Sequence, residues 1–180
     1  MKLMIASDIH GSEYYCKKLI DCYSIENPDK LLLLGDILYH GPRNDLPEGY
    51  NPKAVIDLLN GIKDRILCVR GNCDTEVDQM VLKFPVMADY CIYCVDDVAI
   101  YATHGHHIDD LLEDSLVRGS IVVAGHTHVP VCQVREGYTY INPGSVSIPK
   151  EDSHNGYMIF EDRCFVWKDL GGKVIKEYKI

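Results

Sequence analysis

Five short apolar segments of this sequence each run into side chains that can bind a metal ion. These side chains carry carboxylate, imidazole or amide donors, and in chain order they are Asp8 with His10, Asp36, Asn72, His104, and His126 with His128. A single aspartate or histidine at such a place is more often a cap or a surface residue. Five in succession are hard to attribute to capping, and they indicate one shared site.

The donor chemistry of this set narrows the choice of metal. Four imidazoles, two carboxylates and one amide disfavour a pure magnesium or calcium site, and the lack of thiolates disfavours structural zinc. Manganese, iron, zinc, cobalt and nickel fit a mixed nitrogen and oxygen set. Seven ligands exceed what one such ion takes, but they suit two ions that share a carboxylate.

Local spacing indicates how these ligands are used. In residues 8–10, alternation lets Asp8 and His10 face one ion while Ile9 turns into the core. Residues 126–128 repeat the pattern. Asp36 is the only candidate ligand on its loop, which suits it to bridge two metal ions. Two cations about 3.5–4 Å apart polarise phosphoryl oxygens and lower the pKa of a shared water, giving a hydroxide for in-line attack.

The elements that must position these residues follow from the hydrophobic pattern. Leu3–Ala6, Leu31–Leu34 and Ile66–Val69 are interpreted as buried strands. Two helices are predicted between them, with buried faces at Cys16, Leu19, Ile20 and Tyr23, and at Val55, Leu58, Leu59 and Ile62. The second begins at a cap and first-turn proline, Asn51-Pro52. This order predicts a parallel sheet between helical layers, with ligands bound beyond the carboxyl ends of its strands.

The second half of the sequence is richer in predicted strands. We predict strands at Tyr90–Val95, Val98–Thr103 and Ile121–Ala124, and a turn at Asp96-Asp97 between the first two. One more helix is predicted from Ile108, Leu111 and Leu112. Further turns separate the remaining short strands, at Glu136-Gly137, Asp162-Arg163 and Gly171-Gly172. Because no repeat or linker divides the chain, we expect one domain over residues 1–180.

Composition excludes several classes of protein. Of the 180 residues 47% are apolar, and the formal net charge is −9. This charge argues against an extended nucleic-acid surface, which needs a basic stripe. No segment approaches the roughly 20 apolar residues of a membrane span, and the first apolar stretch is too short for a signal peptide. We therefore expect a cytoplasmic protein with no membrane partner.

The eight cysteines are interpreted as reduced packing residues. Thiols stay reduced inside cells, and free cysteine packs as a small hydrophobic residue. The one CxxC, Cys91 to Cys94, falls on a predicted strand, where residues three apart point to opposite faces. A second ligand pair for structural zinc is missing from the sequence.

The ordered motifs resemble those of the calcineurin-like metallophosphoesterase superfamily. They are Asp8-x-His10, Gly35-Asp36, Gly71-Asn72-x-Asp74, His104-Gly-His106 and Gly125-His-Thr-His128. The likeness covers nearly the whole chain. Its compactness, the loop at residues 40–44 and the segments Gly71–Asp74 and Asn142–Ser145 resemble the small bacterial phosphodiesterases of the YfcE type.

This resemblance implies a fold, a metal centre and a reaction. The fold is an α/β protein with a four-layer α/β/β/α sandwich. One ion is held by Asp8, His10, Asp36 and His128, and the other by Asp36, Asn72, His104 and His126. We expect two divalent ions, manganese ahead of iron, zinc, nickel or cobalt, and a metal-bridging hydroxide that cleaves a small phosphodiester.

One position departs from the superfamily pattern. In many members a histidine after the ligand asparagine protonates the leaving oxygen, and here that residue is Cys73. A thiol with an unperturbed pKa of about 8.5 gives up a proton but is a weak hydrogen-bond donor. The departure favours diesters over ordinary monoesters. Asp74 is expected to shape the loop around Asn72.

Two further residues have open interpretations. His106 either touches substrate, orients His104, or is an exposed loop histidine. Arg43 either binds a phosphate oxygen or pairs with Asp45 or Glu48.

Alternatives to a phosphodiesterase remain at this point. The fold also resembles the small retromer subunit, a scaffold whose altered site no longer supports ordinary catalysis, but an idle site has no physical reason to keep seven compatible ligands. DNA-repair nucleases of the superfamily usually carry an added DNA-binding region, for which this chain has neither the length nor the basic surface. Exposed apolar residues in the second half leave a homo-oligomer open.

Overall fold

The predicted strands assemble into two sheets in a computed structural model that describes residues 1–108 and 115–180. The strands are β1 Leu3–Ala6, β2 Lys30–Leu33, β3 Ile66–Cys68, β4 Tyr90–Val95, β5 Val98–Thr103, β6 Ser120–Ala124, β7 Val131–Val134, β8 Tyr138–Asn142, β9 Gly156–Glu161, β10 Cys164–Asp169 and β11 Val174–Lys179. The helices are α1 Glu13–Glu26, α2 Pro52–Asn60 and α3 Glu76–Val81, with a 3₁₀ turn at Lys63–Arg65.

The first sheet has the strand order β11-β10-β9-β1-β2-β3. β1, β2 and β3 are parallel, as predicted, and Ile5 of β1 lies opposite Leu32 of β2. β9 joins the other side of β1 in the antiparallel direction, with Leu3 opposite Phe160. The sheet is therefore mixed, which corrects the expectation of a parallel sheet.

Both faces of β1 are covered because its side chains alternate between two cores. Met4 and Ala6 pack with residues of α1 and α2, including Leu19 and Leu59. Leu3 and Ile5 pack against the second sheet, in a cluster that contains Ile100, Ala102, Ile121, Val123 and Ile141. The expectation of helices on both faces of the first sheet is therefore wrong, because one of its faces packs on the other sheet.

The second sheet has the order β4-β5-β6-β8-β7. β5, β6 and β8 are parallel, while β4 and β7 pair in the antiparallel direction at the edges. Its outer face carries a buried cluster of Tyr101, Ile108, Val122, Ala124 and Tyr140. The helix predicted from Ile108, Leu111 and Leu112 falls mostly on residues 109–114, which lie outside the described residues. The α/β/β/α fold class is confirmed, with two face-to-face sheets flanked by helices.

Helix ends follow local sequence. The side chain of Asn51 caps α2 by accepting the Ala54 backbone N–H, as the cap prediction requires. Ile62, assigned to this helix from periodicity, lies beyond its end. α3 was not predicted, because its apolar residues face solvent: Val77 and Met80 are 67% and 82% exposed. It is held at its start by Asp78, which accepts the Thr75 backbone N–H at 2.7 Å.

The cysteines are free, and they differ in burial. Cys91 packs between the sheets while Cys94 is exposed, so the two thiols diverge as predicted. Cys16, Cys22 and Cys73 are buried. The expectation of buried cysteines is wrong for Cys94.

Among the described residues, no helix is long and apolar enough to cross a membrane.

Candidate metal centre

The loops that follow five strands bring the predicted ligands to one edge of the molecule. β1 leads to Asp8 and His10, β2 to Asp36, β3 to Asn72, β5 to His104, and β6 to His126 and His128. The first three strands belong to one sheet and the last two to the other. The site therefore lies where the carboxyl ends of both sheets meet.

The backbone at these strand ends is strained. Five of the seven predicted ligands have a positive φ, namely Asp8 (59°), His10 (48°), Asp36 (55°), His126 (67°) and His128 (62°). A non-glycine residue in this region costs about 1–2 kcal/mol, although aspartate and histidine tolerate it better than most. The turn aims each side chain inward directly after its strand. Strain of this kind clusters at functional sites.

Two glycines allow the ligand loops to approach each other. A Cβ at Gly71 would lie 2.1 Å from Asp36 Oδ1, and a Cβ at Gly125 would lie 1.9 Å from Ser7 Oγ. Backbone hydrogen bonds join neighbouring loops at the same level, since His10 N–H donates to Asp36 O at 2.9 Å. Neither glycine can be replaced without moving a loop that carries a predicted ligand.

Asp8, His10 and His128 form a buried group, which we name the deep cluster. All three are at most 3% exposed. Asp8 Oδ1 lies 3.3 Å from His128 Nε2 and 3.6 Å from His10 Nε2, and the two Nε2 atoms are 3.3 Å apart. Three potential ligand atoms thus converge on one point inside the protein.

Asn72, His104 and His126 form a second group, which we name the outer cluster. His104 Nε2 lies 3.0 Å from Asn72 Oδ1 and 3.2 Å from His126 Nδ1. His104 is fully buried, whereas His126 is half-buried and Asn72 is exposed. This group therefore opens toward solvent.

Asp36 lies between the two clusters. Its Oδ2 is 3.6 Å from His10 Nε2 in the deep cluster and 3.5 Å from His104 Nε2 in the outer cluster. Its Oδ1 accepts the Cys73 backbone N–H at 2.8 Å, which fixes the carboxylate plane. One oxygen atom of Asp36 thus occupies the position that a carboxylate shared by two ions requires.

Backbone carbonyls fix the orientation of three imidazoles. Tyr39 O accepts from His10 Nδ1, Leu34 O from His104 Nδ1, and Ile148 O from His128 Nδ1, each at 2.7 Å. Because a carbonyl oxygen only accepts, each Nδ1 carries the proton in a neutral ring and each Nε2 presents a lone pair to the centre. This is how metal-binding histidines are usually held.

His126 is held in a different way. Its backbone N–H donates to Asp8 Oδ2 at 3.1 Å, and its Nδ1, not its Nε2, faces His104. Burial and the nearby charge of His104 lower the pKa of His126, which favours the neutral imidazole that a metal ion needs.

The charges and one orphaned oxygen show that these residues fit a cation. Burial alone would raise the pKa of Asp8, but its contacts with His10 and His128 hold that pKa below its ordinary value. Burial likewise lowers the pKa of His10, but the neighbouring Asp8 raises it overall. Asp8 Oδ1 is buried and has no hydrogen-bond partner among the described residues. A buried carboxylate oxygen without a partner is unfavourable, and a divalent ion among the three ligands would satisfy it.

Asp74 joins two ligand loops. Its carboxylate accepts the backbone N–H groups of Asp36 at 2.8 Å, Ile37 at 2.9 Å and Gly71 at 2.7 Å. The structure therefore places Asp74 where it shapes the loop of Asp36 as well as the loop of Asn72.

Cys73 lies inside the site, next to Asp36. Its Sγ accepts from Asn72 Nδ2 at 3.3 Å, and it is close enough to His10 and Asp36 to form a third potential ligand group. Burial and the charge of Asp36 raise the pKa of the Cys73 thiol to about 12. This corrects the expectation of an unperturbed thiol, because such a group is a poorer proton donor than one with an ordinary pKa.

His106 lies beside the centre and does not line its cleft among the described residues. Its ring packs edge-on to His104 at 5.3 Å between centroids. Burial lowers its pKa to about 4, and its Nδ1 is buried without a hydrogen-bond partner in the described residues. Since Leu34 O supplies the hydrogen bond that orients His104, His106 contributes ring packing to that residue.

A cleft of about 540 Å³ opens over the outer cluster. Its described lining consists of Asp36, Gly41, Pro42, Arg43, Asn44, Asn72, Cys73, His126, Thr127, His128 and Lys150. Arg43 is exposed there, and its predicted alternative pairing with Asp45 or Glu48 is not among the ion pairs of the described residues. Lys150 was missed by sequence reasoning, because no local motif marks it.

The last residue of β8 and the segment that follows it hold two of the ligand loops through hydrogen bonds. Asn142 Nδ2 donates to Gly125 O at 2.6 Å. The hydroxyls of Ser145 and Ser147 donate to Asp8 O at 2.9 and 3.0 Å. Sequence reasoning noted residues 142–145 only through resemblance and missed Ser147. Their role depends on contacts with residues far away in the chain.

Comparison with known proteins gives a consistent picture. Residues 1–163 match the Calcineurin-like phosphoesterase superfamily domain. Phosphodiesterase YfcE of Escherichia coli (strain K12) is 42% identical over 162 residues, which are 90% of this chain and 88% of that protein. The solved structure of Yfce, a phosphoesterase from E. coli, has a TM-score of 0.93 at 39% identity and covers 100% of both chains.

More distant similarities extend this picture. Phosphodiesterase MJ0936 of Methanocaldococcus jannaschii is 26% identical over 152 residues, 80% of this chain and 83% of that protein. Vps29 of Chaetomium thermophilum has a TM-score of 0.62 at 14% identity over 99% of this chain and 98% of that one. At this identity the likeness to Vps29 is one of fold alone.

Proposed function

The chain belongs to the calcineurin-like phosphoesterase superfamily, and from that premise we propose that it is a phosphodiesterase with a dinuclear metal centre. The observation that carries the proposal is the position of Asp36 Oδ2, which lies 3.6 Å from an imidazole of the deep cluster and 3.5 Å from one of the outer cluster. A carboxylate placed in this way suits two ions better than one.

The ligand assignment follows the two clusters. Asp8, His10, Asp36 and His128 would hold one ion, and Asp36, Asn72, His104 and His126 the other. Held by these residues, two divalent ions would supply Lewis-acid polarisation of the phosphoryl oxygens and would activate a water for in-line attack. We propose manganese, with iron, zinc, nickel or cobalt as alternatives, because imidazole and carboxylate ligands together suit this group.

The protein side chains around the centre favour diesters with good leaving groups. Cys73 lies at the position where a general acid would stand, and its raised pKa keeps it protonated and weakly acidic. A leaving alkoxide needs a proton as the bond breaks, whereas a nitrophenolate does not. We propose that Arg43, which lines the cleft, binds a phosphate oxygen through its fork of donors.

The substrate class is supported by two relatives. YfcE of E. coli and MJ0936 of M. jannaschii are both named phosphodiesterases. The net charge of −9 favours a small diester over a nucleic-acid duplex. A cytoplasmic location is part of the proposal.

The proposal is tested by removing and restoring the metal. Protein stripped with a chelator and dialysed is expected to lose hydrolysis of bis(4-nitrophenyl) phosphate, and added manganese is expected to restore it. The control is the same protein carried through the procedure without chelator. A protein that binds manganese but hydrolyses none of a panel of aryl and alkyl diesters would contradict the proposal and favour a scaffold.

A further inference from the structure

Two cationic side chains, Arg43 and Lys150, line the cleft beside the metal centre. Among the described lining residues the only carboxylate is Asp36, which the proposed centre uses as its bridge. Neither cation takes part in an ion pair of the described residues. The chain as a whole has 27 acidic and 18 basic residues. The cleft, with two cations and one carboxylate in its described lining, therefore has a more basic composition than the chain.

Both cations lie on segments that also orient the deep cluster. Tyr39 O accepts from His10 Nδ1, and Arg43 lies four positions further along the same loop. Ile148 O accepts from His128 Nδ1, and Lys150 N–H donates back to His128 O at 3.2 Å. The two charges are therefore attached to segments that are anchored at the metal centre.

The single charge of a diester does not require both Arg43 and Lys150. A phosphodiester has one negative charge at the scissile phosphate, and bound metal ions would neutralise it. Arg43 and Lys150 can therefore also stabilise an anion elsewhere on the substrate. Arginine binds phosphate through two parallel hydrogen bonds, and lysine acts as a point charge. The cleft, about 540 Å³, lies within the usual range of about 300–1,000 Å³ for ligand pockets.

We propose that Arg43 and Lys150 select phosphodiesters that carry a second phosphate group on one arm over diesters with uncharged arms. This inference rests on the proposed phosphodiesterase function. It assigns the two residues to substrate choice, in addition to any contact of Arg43 with the scissile phosphate.

The first experiment compares two substrates that differ by one phosphate. They are thymidine 5′-(4-nitrophenyl phosphate) and the same diester with a 3′-phosphate, and both release nitrophenolate. The manganese-loaded protein is expected to show a higher kcat/KM for the phosphorylated diester by about 4-fold or more, at about 2- to 5-fold per solvent-exposed charge pair. Arg43→Gln and Lys150→Gln are each expected to reduce the ratio of the two kcat/KM values by about 2- to 5-fold. Lys173→Gln, an exposed lysine outside the cleft lining, is the charge-matched control and should leave the ratio unchanged.

The second experiment measures binding without turnover. Calorimetric titration of the manganese-loaded protein with thymidine 3′,5′-bisphosphate and with thymidine 5′-monophosphate is expected to show tighter binding of the bisphosphate, with the difference reduced in the two cleft variants. Equal binding of both nucleotides would overturn the inference, as would a preference that Lys173→Gln reduces equally. A bisphosphate preference without hydrolysis of either diester would support the inference and contradict the proposed function. Hydrolysis of both diesters at equal kcat/KM would do the reverse.

Discussion

The deep and outer clusters have similar donors but very different surroundings. Asp8, His10 and His128 are at most 3% exposed, and backbone carbonyls of Tyr39 and Ile148 hold both imidazoles of this cluster. In the outer cluster His126 is half-buried and Asn72 is exposed in the cleft wall. Only His104 has a comparable carbonyl partner.

This difference separates two tasks within one centre. The deep cluster is buried in the protein, so we expect its residues to contribute to stability as well as to the proposed metal binding. Two residues of the outer cluster, Asn72 and His126, line the cleft, and we expect substrate to approach the proposed metal centre from this side. Asp36 connects the two clusters, because its Oδ2 lies near an imidazole of each.

The largest expected effect comes from the residue that the clusters share. Asp36→Asn keeps the shape of the side chain but removes its charge, so the carboxylate that would bridge the two proposed ions is lost. We expect kcat on bis(4-nitrophenyl) phosphate to fall by about 10³-fold, the scale on which loss of preorganised charge stabilisation acts. The matched control is Asp21→Asn, an exposed aspartate of α1, which should retain full activity. If Asp36→Asn kept more than a tenth of the activity with a normal Tm, the bridging role would be wrong.

Two single substitutions, one in each cluster, test whether the two clusters differ in their contribution to stability. His10→Ala and His126→Ala each remove one imidazole, and both are expected to lower activity by at least about 10²-fold, since loss of even an outer partner of a ligand costs about 10–100-fold. Their effects on stability should differ. His10→Ala removes a buried ring and its 2.7 Å hydrogen bond with Tyr39 O, a bond that typically contributes about 0.5–1.5 kcal/mol, whereas His126 is half-buried.

The measurement is urea denaturation of both variants in the presence of a chelator. Working without metal separates folding from metal binding. A larger loss of stability in His10→Ala supports the distinction between the clusters. Equal losses would show that the deep cluster has no special part in the core.

A smaller effect is expected at Cys73, which lies next to Asp36 and lines the cleft. Cys73→His places a stronger proton donor there, and we expect kcat/KM on an alkyl monoester, glycerol 2-phosphate, to rise by about 10-fold or more. Hydrolysis of bis(4-nitrophenyl) phosphate should change little, because its leaving group needs no proton. Cys73→Ser is the control for side-chain size, and metal content is checked in every variant. Equal changes on both substrates with metals retained would show that Cys73 does not set the preference.

Local sequence predicted where the candidate ligands lie relative to their strands, but it did not predict the whole sheet that holds them. Each ligand follows an apolar segment whose end can be recognised, as Asp8 follows Leu3–Ala6, and this made the edge of the sheet predictable. The pairing of β1 with β9 joins Leu3 to Phe160. No local pattern encodes such a distant contact, so the antiparallel half of the first sheet could not be predicted.

The surroundings of the site residues also could not be predicted from local sequence. The raised pKa of Cys73 arises from burial and from Asp36, which is distant in the chain. Lys150 reaches the cleft because its segment is hydrogen-bonded to His128. Residue type and spacing predicted which side chains could bind metal. Burial and long-range hydrogen bonds determine their pKa values and orientations.

Metal stoichiometry tests the central claim most directly. Native mass spectrometry of the manganese-loaded protein is expected to show two ions per chain. His126→Ala is expected to retain one, held by the deep cluster with Asp36. A wild-type protein that carries a single ion and is fully active in diester hydrolysis would contradict the shared-carboxylate centre.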